Sequence, residues 1–268
     1  MPGPLLSELT SRECNHYLVE GGDIAVLPVG SAEVVGPHLP VGAWYFAAEA
    51  FATLLAEGVD GLRLPLTPFS IAPAVYDRPG SVAVEHVPFT AYVRAAMDDL
   101  LAAGFCRILL VTHADYVGYY TPQEFYEDHG VAAAGLNLRE AWSQALRARG
   151  VGEDSALAGA LRVLGKGALL EKVMAENARL LKEGWQPTPL PDGLAHVLRQ
   201  GVAGFRYPPG GFPVPPNPDL NPVAGEEALR AAVAALVPSV ASLRTYNEFL
   251  AKRHASRGLM WRGWRWTE

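Results

Sequence analysis

Three short apolar runs mark the first half of the chain, at residues 24–29, 62–67 and 107–112. None alternates with polar residues, so each predicts a strand covered on both faces, as in a parallel sheet. Between and after them the apolar positions switch to a helical period. Helices are predicted over 45–57 and 88–104, the second starting after Pro88 and stopping at Gly104. Two more are predicted over 137–149 and 167–183, ended by Gly150 and Gly184, and a last one over 224–252 with a kink at Pro238. Strand, helix, strand, helix implies right-handed βαβ crossovers with helices on both faces of the sheet. Residues 186–193 and 207–218 are rich in Pro and Gly and predict irregular loops. No repeat or linker divides the 268 residues, so a single α/β domain over 1–268 is expected.

Composition narrows the functional classes. Half of the residues are hydrophobic and 19% are charged, a globular balance. A net charge of −6 with no Lys/Arg cluster argues against a nucleic-acid partner. A signal-type N-terminus and an apolar run of about 18 residues are both missing, so no membrane partner and a cytoplasmic location are expected. Cys14 and Cys106 form no CxxC pair and read as reduced thiols. The aromatic tail at about 255–268 holds Trp261, Trp264 and Trp266, which are expected to cover the cleft or pack on another subunit.

Candidate chemistry gathers at the strand ends. In an open α/β sheet, residues just past the carboxyl ends of strands face the crevice where ligands bind. Glu33 follows the first strand, and His113 and Asp115 follow the third. Both sets are expected in one crevice, as an acid–base group or as metal ligands. Tyr76, Asp77 and Arg78 flank Pro79-Gly80-Ser81, and Arg78 suits bidentate capture of an anion. Tyr116 follows the His113 strand and is a candidate pocket lining.

Residues 28–42, Pro-Val-Gly-Ser-Ala-Glu-Val-Val-Gly-Pro-His-Leu-Pro-Val-Gly, carry a resemblance. They resemble the signature of the creatininase family of metal-dependent amidohydrolases, Pro-Val-Gly-Ser-x-Glu-x-His-Gly-Pro-His-Leu-Pro followed by a metal-bridging Asp. Glu33, Gly36, Pro37, His38, Leu39 and Pro40 match. Val35 stands for a metal-binding His, and Trp44 for the bridging Asp. His113 and Asp115 match a His and an acid of the family's Asn-Gly-His block, while Val111 and Thr112 replace its Asn and Gly. A later block, His-Ala-Gly-x-x-Glu-Thr-Ser, is similar to residues 157–164 only at Ala158 and Gly159, with Leu157 and Arg162 replacing its His and Glu. Asn217 to Glu226 resembles the family's lead into its last helix.

The resemblance implies a three-layer α/β/α sandwich with a mostly parallel sheet, a homo-oligomer and a small-molecule substrate. It implies action on a C–N bond of a cyclic amide or amidine. Glu33, His113 and Asp115 are the implied catalytic residues and the implied ligands of one divalent Zn or Mn, if any metal binds. A dinuclear centre is not expected, because Val35 has no lone pair and an indole only donates. His38, Trp44, Tyr76, Asp77, Arg78 and Tyr116 are the implied substrate contacts. Bulky Val35 and Trp44 would also dry the pocket, which supports two alternatives. One is metal-independent cyclisation, elimination or isomerisation in a biosynthetic pathway; the other is a non-catalytic ligand- or partner-binding homologue.

Overall fold

The computed structural model describes residues 4–72, 75, 78–186, 188 and 212–256, without the side chains of Asp115, His254, Ala255 and Ser256. Four strands, β1 (Ile24–Val29), β2 (Leu62–Arg63), β3 (Arg107–Thr112) and β4 (Ala134–Asn137), form one wholly parallel sheet in the order β2-β1-β3-β4. The helices are α1 (Ser11–Val19), α2 (Ala43–Val59), α3 (His86–Ala103), α4 (Asp115–His129), α5 (Leu138–Arg149), α6 (Glu153–Val163), α7 (Gly167–Lys182) and α8 (Pro222–Ser256).

Side chains on a strand alternate between faces, and β1 and β3 use both. Val26, Leu109 and Val111 enter one core with Trp44, Phe51, Trp142, Leu157 and Leu229 from α2, α5, α6 and α8. Ala25, Leu27, Ile108 and Leu110 enter the other with Val93, Met97, Val117 and Phe125 from α3 and α4. This is the three-layer α/β/α sandwich, and the double covering explains why both strand sequences are apolar without alternation.

The expected strand over 62–67 pairs with β1 only at Leu62 and Arg63, with an isolated bridge from Thr67 to Val29. Pro65 has no N–H to give to a ladder. Pro238, where a kink is expected, lies inside a helix that continues to Ser256. Pro222–Arg253 is, among the described residues, the one helix long and apolar enough to cross a membrane by length and composition alone. Here its Ala228, Leu229, Ala232, Val233 and Val240 are core residues packed in a helical layer. Gly225 sets how close α8 comes to α6, since a Cβ there would strike the Ser155 carbonyl. The tail over 257–268 lies outside the described residues.

Candidate active site

The register of β1 and β3 sets the site. Val29 pairs with Thr112, so the residues just past the two strands emerge side by side at the carboxyl rim of the sheet. Glu33 is fixed by its backbone N–H, which donates to Val41 O at 2.7 Å, while Val34 N donates to Ser81 Oγ at 3.0 Å. The structure brings Glu33 and His113 together: His113 Nε2 lies 3.0 Å from Glu33 Oε1 and 3.3 Å from Ser31 Oγ. All three residues are buried.

This geometry chooses the tautomer of the neutral ring. A carboxylate only accepts, so Nε2 carries the proton and Nδ1 the lone pair. Nδ1 is buried and has no hydrogen-bond partner among the described residues. The arrangement is a dyad: Ser31 and Glu33 compete for the same nitrogen, so Ser31 is not placed as the nucleophile of a triad, whose carboxylate holds the opposite nitrogen. Ser31 lies within the motif over 28–42, but no local pattern singles it out from its neighbours.

Trp44 fixes the plane of the ring. Its indole stacks on His113 with centroids 4.6 Å apart and planes 10° apart, and on Trp142 at 5.7 Å and 16°. The Arg139 guanidinium lies 4.7 Å from the Trp44 ring centroid, and its Nε donates to Glu153 Oε1 at 2.8 Å. Arg139 and Trp142 lie in the first half of α5, which starts where the unpredicted strand β4 stops. Reading residues 134–137 as a strand would have brought both to the rim.

The other candidates fall in several places. Arg78 lies over the Phe212 ring at 5.0 Å. Tyr116, in the first turn of α4, meets the His86 ring edge-on at 3.7 Å and Tyr120 at 4.4 Å. Asp115 begins α4, but its side chain lies outside the described residues, as do Tyr76 and Asp77. In the weak later block, Leu157 is a core residue and Arg162 Nε pairs with Glu226 Oε2 at 2.9 Å. The chain over 212–221 closes against the motif loop: Val214 N donates to Val35 O at 2.9 Å, and Asn217 exchanges two hydrogen bonds with Asn177. Gly36 permits this, since a Cβ would strike the Val214 carbonyl.

His38 is buried with neither ring nitrogen paired among the described residues. Burial pushes its pKa from the ordinary 6.5 down to about 4, and the nearby Glu176 carboxylate opposes this only in part. An unfolded His takes its proton near 6.5, whereas the folded one waits until about 4. The stabilising preference for the neutral ring is therefore complete above 6.5 and is lost as pH falls between those values, by on the order of 3 kcal/mol. His38→Leu, which cannot titrate, should flatten this acid limb. Urea unfolding at pH 7 and pH 4.5 measures it, and an unchanged limb would place the acid sensitivity elsewhere.

Where the family has a His and a bridging Asp, this chain has buried Val35 and Trp44, and Trp44 lies flat against the imidazole. Neither side chain offers a lone pair to a metal. Glu33 and His113 are donors, but among the described residues no three His, Cys, Asp or Glu side chains converge.

A family model for creatininase, described as creatinine amidohydrolase, matches residues 7–156, more than half of the chain. No curated protein matches. Among solved structures, a creatinine amidohydrolase (creatininase) superposes with a TM-score of 0.65 at 15% identity, covering 90% of this chain and 97% of its own. A mutant creatininase complexed with creatine gives 0.62, and one of the Zn–Zn type gives 0.59, each at 15% identity over 88% of this chain and 96% of its own. The sandwich is thus the creatininase fold, and the chain belongs to the creatininase family.

Proposed function

We propose that this chain is an enzyme acting on a C–N bond of a small polar molecule, a cyclic amide or amidine, with His113 and Glu33 carrying the proton transfers. The family frame is amidohydrolase action on small molecules. The observation that carries the finer reading is the 3.0 Å contact between His113 Nε2 and Glu33 Oε1, which leaves buried Nδ1 unpaired. In hydrolysis, Nδ1 takes a proton from water as the oxygen adds to the carbonyl or amidine carbon. Glu33 holds the resulting imidazolium, and Nδ1 returns the proton to the departing nitrogen. Because Trp44 clamps the ring, little reorientation is needed between the two transfers.

The relatives' zinc is not carried over into this mechanism, because Val35 and Trp44 stand at two of the ligand positions. A single divalent ion would need Asp115 beside Glu33 and His113. The buried apolar surfaces of Val35 and Trp44 favour a second reading on the same dyad: cyclisation, elimination or isomerisation, in which water is kept out.

A mass-spectrometric screen of cyclic amides and amidines, with metal analysis of the same preparation, tests the proposal. Turnover that persists in chelator without gain of water, with the mass unchanged on isomerisation or a small molecule lost on cyclisation or elimination, supports the second reading; gain of one water supports the first. Two tightly bound metals per chain would overturn the metal argument. Activity undiminished by both Glu33→Gln and His113→Ala would overturn the dyad.

A further inference from the structure

We propose that Arg139 makes this pocket selective for substrates that carry a carboxylate within about 10 Å of the bond on which His113 acts. The inference rests on the acid–base reading of the His113–Glu33 pair and adds a substrate class to it. Two independent observations place Arg139 at the same sheet rim as that pair.

The first is topological. Thr112 pairs with Asn137 across β3 and β4, so His113, one residue on, and Arg139, two residues on, leave the sheet at the same rim. The second is the ring contact that both share. Trp44 stacks on His113 at 4.6 Å and carries the Arg139 guanidinium at 4.7 Å, which keeps the cation within about 10 Å of the imidazole. A five- or six-membered ring with one carboxylate, about 4–5 Å across, fills this gap once a hydrogen-bond contact of about 3 Å is allowed at each end.

The stem of Arg139 is held while its end is open. Its backbone N–H donates to the Asn137 side chain at 2.9 Å, which fixes the first turn of α5. Its Nε is taken by Glu153, and its terminal nitrogens make no hydrogen bond among the described residues. The side chain is 46% exposed, so these donors face solvent at the rim. Glu153 offsets part of the charge but leaves the two terminal amino groups, the pair that grips a carboxylate in parallel. The positive end of the α5 dipole adds to the attraction. Trp44 removes a carboxylate relative to the family pattern, so no acid at that position competes for the cation.

The bland role for Arg139 is to tie α5 to α6 through Glu153. Matched probes separate the two roles: 5-oxoproline and 2-pyrrolidinone share a lactam ring and differ by one carboxylate. Calorimetric titration of the full chain should show 5-oxoproline binding about tenfold tighter or more, with that preference lost in Arg139→Gln and partly kept in Arg139→Lys. The affinity for 2-pyrrolidinone should not change, and the unfolding midpoint of each variant reports the structural role separately. Equal affinities in the wild type, a preference that survives Arg139→Gln, or no binding of 5-oxoproline at about 20 mM would overturn the inference. The acid–base reading fails on a different result, full turnover in His113→Ala, so the two can fall separately.

Discussion

His113→Ala should cut turnover on an authentic substrate by about 10²–10⁴-fold, the usual contribution of a positioned acid or base. The loss should appear mainly in kcat, because the ring moves protons during reaction more than it grips the ground state. The substitution also leaves the buried Glu33 carboxylate without its 3.0 Å donor, which costs about 1–3 kcal/mol of stability. Circular dichroism and a denaturant midpoint must therefore accompany the assay. Glu33→Gln supplies the control: its amide oxygen can still accept from Nε2, so the ring stays oriented while the negative charge is gone. An intermediate rate for Glu33→Gln would separate charge from orientation. If a folded His113→Ala variant keeps full activity, the chemistry lies outside the dyad. His38→Ala should cost less in rate, since its ring sits in the motif loop and hydrogen-bonds to neither member of the dyad.

The dyad was legible in the sequence for a physical reason. β1 and β3 are covered on both faces, so each appears as an apolar run, and the residues after each run must emerge at a sheet end. Adjacent pairing then makes neighbours of residues 80 apart. The surroundings of the dyad were not legible. β4 contains Gly135 and Asn137, both poor strand formers, and is held by packing: a Cβ on Gly135 would strike the Gly118 carbonyl of α4. With β4 unread, Arg139 and Trp142 had no place at the rim. α4 contains Pro122, which speaks against a helix interior, yet buried Val117 and Phe125 anchor it to the sheet. α6 is rich in small residues over 155–160, where the apolar period is weak but close approach to α8 is strong. Local propensity lost to tertiary packing in each case.

Trp44→Ala should lower the unfolding free energy by about 3–5 kcal/mol, the range for emptying a large buried aromatic site. The indole is 1% exposed and contacts a ring on each of two other elements, His113 after β3 and Trp142 on α5. Its removal takes away both stacking partners and the face on which Arg139 rests. Relaxation should recover little, because α2 is anchored along its length by Phe51 and Leu55, both fully buried. Trp44→Phe keeps a ring over the imidazole and should lose much less. Urea or guanidinium unfolding of the three proteins measures the series, with the order wild type, Phe, Ala. The same series should order the activities, since a ring freed to turn holds Nδ1 less well against the substrate. A Trp44→Ala variant as stable as the wild type, or one that is folded and fully active, would mean that the indole merely fills the place of a lost ligand and does not hold His113 in position.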